Sequence, residues 1–372
     1  MVGLLEIGFA SSVKVFRIFR TAPRRRLMSL AQRTSLAAAA VMLAHPCAAQ
    51  LQTINVGVAS TVSDAPYFIA SKKGYFQEEG LSANFIVFDS AAKAIPSLGT
   101  GQIEMAGGAT SAGLYNAMKR NVNIRIVADK ARNAKGYGFQ AILVRKDLYD
   151  SGKVRSLKDF KGLKVALSAA GNSEAALLDA GLRQKGLSFS DVDPIYLGFP
   201  QHLVAYQNGG IDASLTTEPT TSAILKSGTA VRLIGVDEFY PDFQTAVTFF
   251  GEKFIKEKPE VALKTMRALI RGMRFYNDAL DGGRLAGPNA EEVISILVAE
   301  SNVKDPAIHR AIISHAIDPN GQIHIESLKT SWQFFVDTKQ IDNSVRVEDV
   351  VDLSFANQAA AGLGPYVKKT GR

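Results

Sequence analysis

The chain has 372 residues, with 43 lysines and arginines against 35 aspartates and glutamates, and a single cysteine; that length suggests about two domains. Seven of the basic residues and one of the acidic ones fall in residues 1–49, so the remainder carries 36 basic to 34 acidic residues and no cysteine. The alkaline balance therefore belongs mainly to the leader and supports no nucleic-acid footprint, and without cysteine the remainder can hold no disulfide, thiolate metal site or cysteine nucleophile.

Residues 1–49 read as an export signal. Lys14, Arg17, Arg20, Arg24, Arg25, Arg26 and Arg33 precede an apolar run at 36–43, and Cys47-Ala48-Ala49 offers small residues for cleavage before Gln50. The run is shorter than the roughly 20 residues that span a bilayer. Met28 is an alternative start, and Arg24-Arg25-Arg26 leaves both ordinary and twin-arginine export open. Pro46 and His45 before Cys47 are unlike a lipoprotein site, so no lipid anchor is expected.

The rest of the chain says one thing twice. An apolar strand at 54–60 leads into the polar loop 61–66, and the strand at 163–169 leads into 170–173. Each is followed by a helix-like segment closing on Gly80-Leu81 or Gly186-Leu187, where glycine suits a left-handed cap. Second strands are expected at 85–88 and 195–199. Further helices end in Gly101-Gln102-Ile103-Glu104 and Gly209-Gly210-Ile211-Asp212, and third strands come at 123–127 and 230–234. This alternation predicts two α/β lobes with mainly parallel sheets, facing one another across a cleft. The similar stretches 138–144 and 242–248 are expected to be the crossings between lobes, a two-stranded hinge of the kind that absorbs domain closure. Val261, Leu263, Met266, Leu269, Ile270, Met273 and Tyr276 then give an apolar stripe at helical spacing from Pro259 onward. Helix-like stretches follow at 289–300, 305–316, 325–339 and 348–361. Trp332, Phe334 and Phe335 read as core.

The residues that carry chemistry are sparse. There is no phosphate-binding or dinucleotide glycine loop, no His-Glu-x-x-His, and no Gly-x-Ser-x-Gly elbow. No catalytic residue, metal ligand or cofactor is expected. What remains is a set of polar loops at strand ends, where helix N-termini turn unpaired N–H groups toward a ligand in open α/β sheets. The candidate ligand contacts are Ser63 and Asp64, Thr110 and Ser111, Asn172 and Ser173, and Thr217 and Glu218. Hydroxyls and amides with few cations suit a small oxyanion; helix capping is the alternative for each. Glu218 can accept an amino group, Lys130 and Arg132 can pair with an anion, and Tyr67, Tyr137 and Phe139 can flank a ring.

Ala65-Pro66-Tyr67 with Lys73-Gly74-Tyr75-Phe76-Gln77-Glu78-Glu79-Gly80-Leu81 resembles the opening of periplasmic solute-binding proteins of the nitrate/sulfonate/taurine and thiamine-precursor type. Leu157-Lys158-Asp159-Phe160-Lys161-Gly162-Leu163-Lys164-Val165-Ala166 is similar to that family's entry into its second lobe. Gly210-Ile211-Asp212-Ala213 with Glu218-Pro219 is similar to its closing motif. The resemblance implies a type II periplasmic-binding-protein fold with two α/β lobes joined by a two-stranded hinge. It also implies a periplasmic location and a small-molecule ligand passed to an ABC transporter permease, and it places the family's ligand contacts on Glu218, Ser63 and Asp64. The family's ligands span sulfonates, nitrate, pyrimidines and aromatic carboxylates, so the ligand is not fixed. Its pyrimidine-synthesising branch carries a cysteine-rich motif that the cysteine-free remainder lacks.

The expected organisation is a leader at 1–49, lobe one at 50–138, lobe two at 139–242, and a return strand and helical tail at 243–372 completing lobe one. The expected activity is capture of a small anionic organic or sulfonate-type molecule by a monomer, without enzymatic turnover, nucleic acid or membrane anchor. The alternatives are an enzyme of the same fold acting on a pyrimidine-like or carboxylate substrate, and a ligand-presenting sensor subunit.

Overall fold

A computed structural model describes residues 50–370; the leader expected over 1–49 lies outside them. The apolar runs form two five-stranded sheets. The first contains β1 (Gln52–Val58), β2 (Leu81–Val87), β3 (Met105–Gly108), β4 (Ile124–Asn133) and β10 (Phe243–Gly251), in the order β2-β1-β3-β10-β4. The second contains β5 (Gln140–Arg145), β6 (Lys164–Leu167), β7 (Asp193–Tyr196), β8 (Ala213–Thr217) and β9 (Ala230–Gly235), in the order β7-β6-β8-β5-β9. In each sheet the first strand runs parallel to the next two, and the fourth strand is antiparallel to both neighbours. That fourth strand is the one formed on arrival from the other lobe, β10 after the crossing at 236–242 and β5 after the crossing at 134–139, so the stretches 138–144 and 242–248 expected to cross between lobes are mostly strand inside the sheets. The two lobes are thus the same fold with one strand exchanged.

The crossings are tied by a buried amide node. Asn133 Nδ2 donates to Gln140 Oε1 at 3.1 Å and to Thr245 Oγ1 at 2.6 Å, and Thr245 Oγ1 donates to Gln140 Oε1 at 3.0 Å. Gln140 of lobe two thus accepts from both Asn133 and Thr245 of lobe one, so the buried amides of the crossings find partners in one another.

Helices of eight or more residues are α1 (Ala65–Lys72), α2 (Ala91–Thr100), α3 (Ala112–Lys119), α4 (Ser173–Arg183), α5 (Phe199–Gln207), α6 (Thr220–Ser227), α7 (Pro259–Asp278), α8 (Ala290–Glu300), α9 (Ile325–Asp337) and α10 (Ser354–Leu363). The stripe expected from Pro259 becomes α7, whose Met266, Leu269, Ile270, Met273 and Tyr276 are fully buried. It lies close against α1: a Cβ on Gly272 would stand 2.3 Å from the Pro66 carbonyl oxygen. Trp332, Phe334 and Phe335 lie on α9 and pack in a core that also holds Ala175 and Ala176 of α4. Phe334 meets Phe189 of lobe two edge-on at 5.8 Å, so α9 touches both lobes.

Four elements depart from the sequence expectation. The helix expected over 348–361 is split into Val347–Val350 and Ser354–Leu363, with Val351 between them bridged to Ile126 of β4. β2 starts at Leu81, straight after the left-handed Gly80, rather than at 85. The expected strand 195–199 ends at Tyr196, because Phe199 opens α5 with Pro200 in its first turn, a position that proline favours. The helix expected over 305–316 stops at Ala311; beyond it the backbone of Ala316 exchanges hydrogen bonds with Arg132 at 2.9 and 3.1 Å. Sheet pairing there overrides local propensity. Among the described residues no helix is long and apolar enough to cross a membrane.

Candidate functional site

The polar loops at the strand ends meet one another between the two sheets. Ala112 N donates to Gly171 O at 2.8 Å, Ser173 N to Thr110 O at 2.9 Å, and Val62 N to Glu218 O at 3.1 Å. Ser111 and Asn172 form an antiparallel bridge at the same place. Helix-start amides expected to face a ligand are therefore spent joining the lobes.

Behind these contacts lies a cavity of about 40 Å³. Room for one water takes roughly 10–15 Å³ on this measure, so in this closure the space suits a compact polar group. Lobe one contributes Ser63, Ser90 and Lys130, lobe two contributes Ser168, Glu174 and Thr217, and Phe139 and Phe199 supply apolar wall. The Ser90 and Thr217 hydroxyls are buried and have no hydrogen-bond partner among the described residues. Buried hydroxyls are seldom left so, and both line this cavity. A larger hollow of about 570 Å³ lies between α4 and α9, but its polar side chains are already paired. Arg183 meets Asp179 at 2.5 Å, Lys329 meets Glu326 at 3.0 Å, and Trp332 Nε1 donates to Val345 O at 2.8 Å.

In lobe one, the carboxylate of Asp64 folds back on its own loop, accepting from Thr61 N at 2.9 Å and Ala59 N at 3.3 Å. Its other oxygen stands 2.9 Å from Lys130 Nζ, and both side chains are almost wholly buried. Lys130 also donates to Ser63 Oγ at 2.6 Å, which leaves its third hydrogen for the cavity. Room for this lysine depends on Gly107, where a Cβ would fall 2.5 Å from Lys130 Cδ and 2.4 Å from the Tyr67 hydroxyl. His315 packs edge-on to Phe139 at 5.5 Å; burial, and then the Lys130 charge, hold it well below the ordinary histidine range, so it stays neutral.

In lobe two, Glu174 does the corresponding job. It accepts from Ser168 N at 2.7 Å and from Ser168 Oγ at 2.9 Å, and burial pushes its carboxyl up to about 7. His202 is structural: Nε2 donates to Leu197 O at 3.0 Å, so Nδ1 accepts from Thr216 Oγ1 at 2.8 Å, and burial lowers it to about 4.

Of the eight expected contacts, Ser63 and Thr217 line the cavity. Asp64 stands behind it, bound to Lys130. Thr110 is buried beside the lobe contact, its hydroxyl without a partner among the described residues. Ser111 and Asn172 cap α3 and α4 by accepting from Leu114 N at 3.3 Å and Glu174 N at 3.2 Å, while the amide of Ser173 crosses to Thr110. Glu218 turns onto α6, accepting from Ser222 N and Ser222 Oγ at 3.0 Å each. Tyr67 is buried behind the lysine, its hydroxyl 2.7 Å from Thr248 Oγ1. Sequence reasoning passed over Ser90 and Glu174. The rule that selected the other loops extends to both, since Ser90 precedes the helix after β2 and Glu174 is one residue beyond the second-lobe loop. Among the described residues no group of three or more histidines and acids is placed to hold a metal.

The sequence profile of the family described as NMT1/THI5 like matches residues 62–279. The Bacillus subtilis protein named "Putative aliphatic sulfonates-binding protein" is 26% identical over 317 residues, covering 83% of this chain and 89% of that one. The taurine-binding periplasmic protein of Escherichia coli is 28% identical over 204 residues, 54% of this chain and 58% of that protein. A 4-amino-5-hydroxymethyl-2-methylpyrimidine phosphate synthase of Aspergillus parasiticus is 24% identical over 233 residues, 58% of this chain and 64% of its own. Among solved structures, the periplasmic nitrate-binding protein NrtA from Synechocystis PCC 6803 superposes with a TM-score of 0.71 at 15% identity, covering 84% of this chain and 89% of that one. The alkanesulfonate-binding protein SsuA from Xanthomonas axonopodis pv. citri superposes at 0.63 and 19% identity, covering 81% and 98%. The fold is that of periplasmic binding proteins.

Proposed function

The chain belongs to the NMT1/THI5-like family, and from that membership we propose an exported solute-binding protein. It captures a small anionic organic or sulfonate-type molecule between its lobes and delivers it to an ABC transporter permease. The observation that carries this reading is the interlobe cavity, where two buried hydroxyls without partners among the described residues, Ser90 and Thr217, line the same space as Lys130. A sulfonate or carboxylate oxygen supplies what those donors lack. The names of the sulfonate- and taurine-binding relatives point to the same ligand chemistry.

In this reading residues 1–49 are removed on export to the periplasm, lobe one comprises 50–138 with 243–372, lobe two comprises 139–242, and the protein acts as a monomer. Ligand favours the closed arrangement because it bonds to both lobes at once, and closed lobes are the form a permease distinguishes from open ones. Thermal unfolding of protein stripped of carried-over solute tests the reading against nitrate, taurine, alkanesulfonates, benzoate, phthalate and pyrimidines. A ligand at about 100 times its dissociation constant adds roughly 2.7 kcal/mol, so one class is expected to raise the midpoint visibly. No shift across the panel overturns the ligand assignment. Chemical turnover of a pyrimidine would align the chain with its synthase relative instead.

A further inference from the structure

Two loops built to one plan differ in a single charge. After the first strand of each lobe an acid at the start of the next helix reaches back to tie the loop, Asp64 to the amides of Ala59 and Thr61, Glu174 to the amide and hydroxyl of Ser168. Both acids are buried, at 0% and 3% exposure. Asp64 has Lys130 at 2.9 Å as its counter-ion. Glu174 has no lysine, arginine or histidine within ion-pair distance among the described residues, and unlike Asp64 it lines the cavity. A buried charge is ordinarily paired.

The amides at the start of α4 sharpen the point. Ser173 N is taken by Thr110 O at 2.9 Å, Glu174 N by Asn172 Oδ1 at 3.2 Å, and Ala175 N by Asn172 O at 3.3 Å. This helix start therefore presents a carboxylate to the cleft, where an anion-binding helix start presents free N–H groups. A ligand with negative charge beside Glu174 meets like charge; of the donors for an oxyanion, Lys130 and Ser90 are on the lobe-one side and the Thr217 hydroxyl is on lobe two.

We propose that Glu174 pairs with a protonated amine of the ligand, so that the cleft selects a compact ammonium-bearing oxyanion over the corresponding simple anion. The oxyanion end of this assignment rests on the capture reading above; the ammonium end rests on Glu174.

The test is calorimetric titration of the full chain with 2-aminoethanesulfonate and with ethanesulfonate, which has a hydrogen in place of the amine. The aminosulfonate is expected to bind at least about tenfold tighter, the scale of one charge-assisted hydrogen bond. In Glu174→Gln that advantage is expected to vanish, through weaker aminosulfonate binding and unchanged ethanesulfonate binding. The wild-type ratio decides the matter by itself should the variant fail to fold. Equal affinity for the two probes in the wild type overturns the inference and leaves the capture reading standing. So does an equal loss for both in Glu174→Gln, which would reduce the residue to holding its loop. Binding of neither probe, while another member of the ligand panel binds, overturns the inference alone; a panel that fails throughout overturns the capture reading with it.

Discussion

Lobe one and lobe two share a strand order, an exchanged fourth strand and a loop tied by a buried acid, yet the faces they turn to the cleft differ in kind. Lobe one offers donors through Lys130 and Ser90, while lobe two sets the acceptor Glu174 in the cavity along with the Thr217 hydroxyl. The source of the difference is one residue on β4. A lysine there cancels the Asp64 charge, and nothing equivalent reaches Glu174 among the described residues. Repeating a fold thus repeats the position of a site without repeating its chemistry.

The comparison breaks most directly at Lys130. Replacement by methionine leaves Asp64 buried without its counter-ion, a change that typically costs about 3–5 kcal/mol. Urea unfolding is expected to show a loss of that size, together with loss of ligand binding; an unchanged midpoint would mean that the pair contributes nothing to the fold. Glu174→Gln should act in the opposite sense, because it removes a charge that burial already disfavours. Burial raises the Glu174 carboxyl from 4.5 to about 7, so the folded chain keeps a proton that the unfolded chain releases. The stability this group contributes is complete below about pH 4.5 and is lost as pH rises through 7. The variant is therefore expected to match the wild type near pH 5 and to exceed it near pH 8 by about 1–3 kcal/mol, measured by denaturant midpoints in the two buffers. A variant less stable at both pH values would show that the carboxylate holds its loop at no net electrostatic cost.

Asp129 supplies a control away from the cleft. It is buried, accepts from Gln244 Nε2 at 2.6 Å and Asp318 N at 2.7 Å, and burial raises it from 3.8 to about 7. It adds a second fall in stability over the same pH window, up to about 1.4 kcal/mol per pH unit. That fall is expected to persist in Glu174→Gln and to ignore bound ligand; ligand-sensitive behaviour would place Asp129 in the site. Smallest on stability is Thr217→Ala, expected to shift unfolding by less than about 0.5 kcal/mol, since the hydroxyl has no partner among the described residues to lose. Ligand affinity should nevertheless fall by roughly 0.5–1.5 kcal/mol, and equal affinity would remove Thr217 from the site.

The strand–loop–helix repeat was legible because apolar runs, loop residues and capping glycines recur in order. So was the placement of Ser63, just after β1, and Thr217, at the end of β8, beside the interlobe cavity. The pairing of Asp64 with Lys130 was not, since it depends on which β4 side chain falls opposite a loop 66 positions earlier in the sequence. Nor was the use of the α3 and α4 start amides between lobes, because main-chain contacts leave no residue signature. The same reason explains the segment after Ala311, which has helical composition and yet pairs its backbone with Arg132. Local chemistry announces where a site is; the partners that set its charge come from elsewhere in the chain.

Where the polar loops meet beside the cavity, the bonds that join the lobes run main chain to main chain: Ala112 to Gly171, Ser173 to Thr110, Val62 to Glu218. Mechanical shutting and chemical choice are therefore written in separate alphabets. The cavity-lining side chains Ser90, Glu174 and Thr217 take no part in those peptide contacts, so under the proposed function they can be exchanged to suit a new solute while the contacts stay as they are. A clamp so divided is a ready chassis for retargeting, in nature or at the bench.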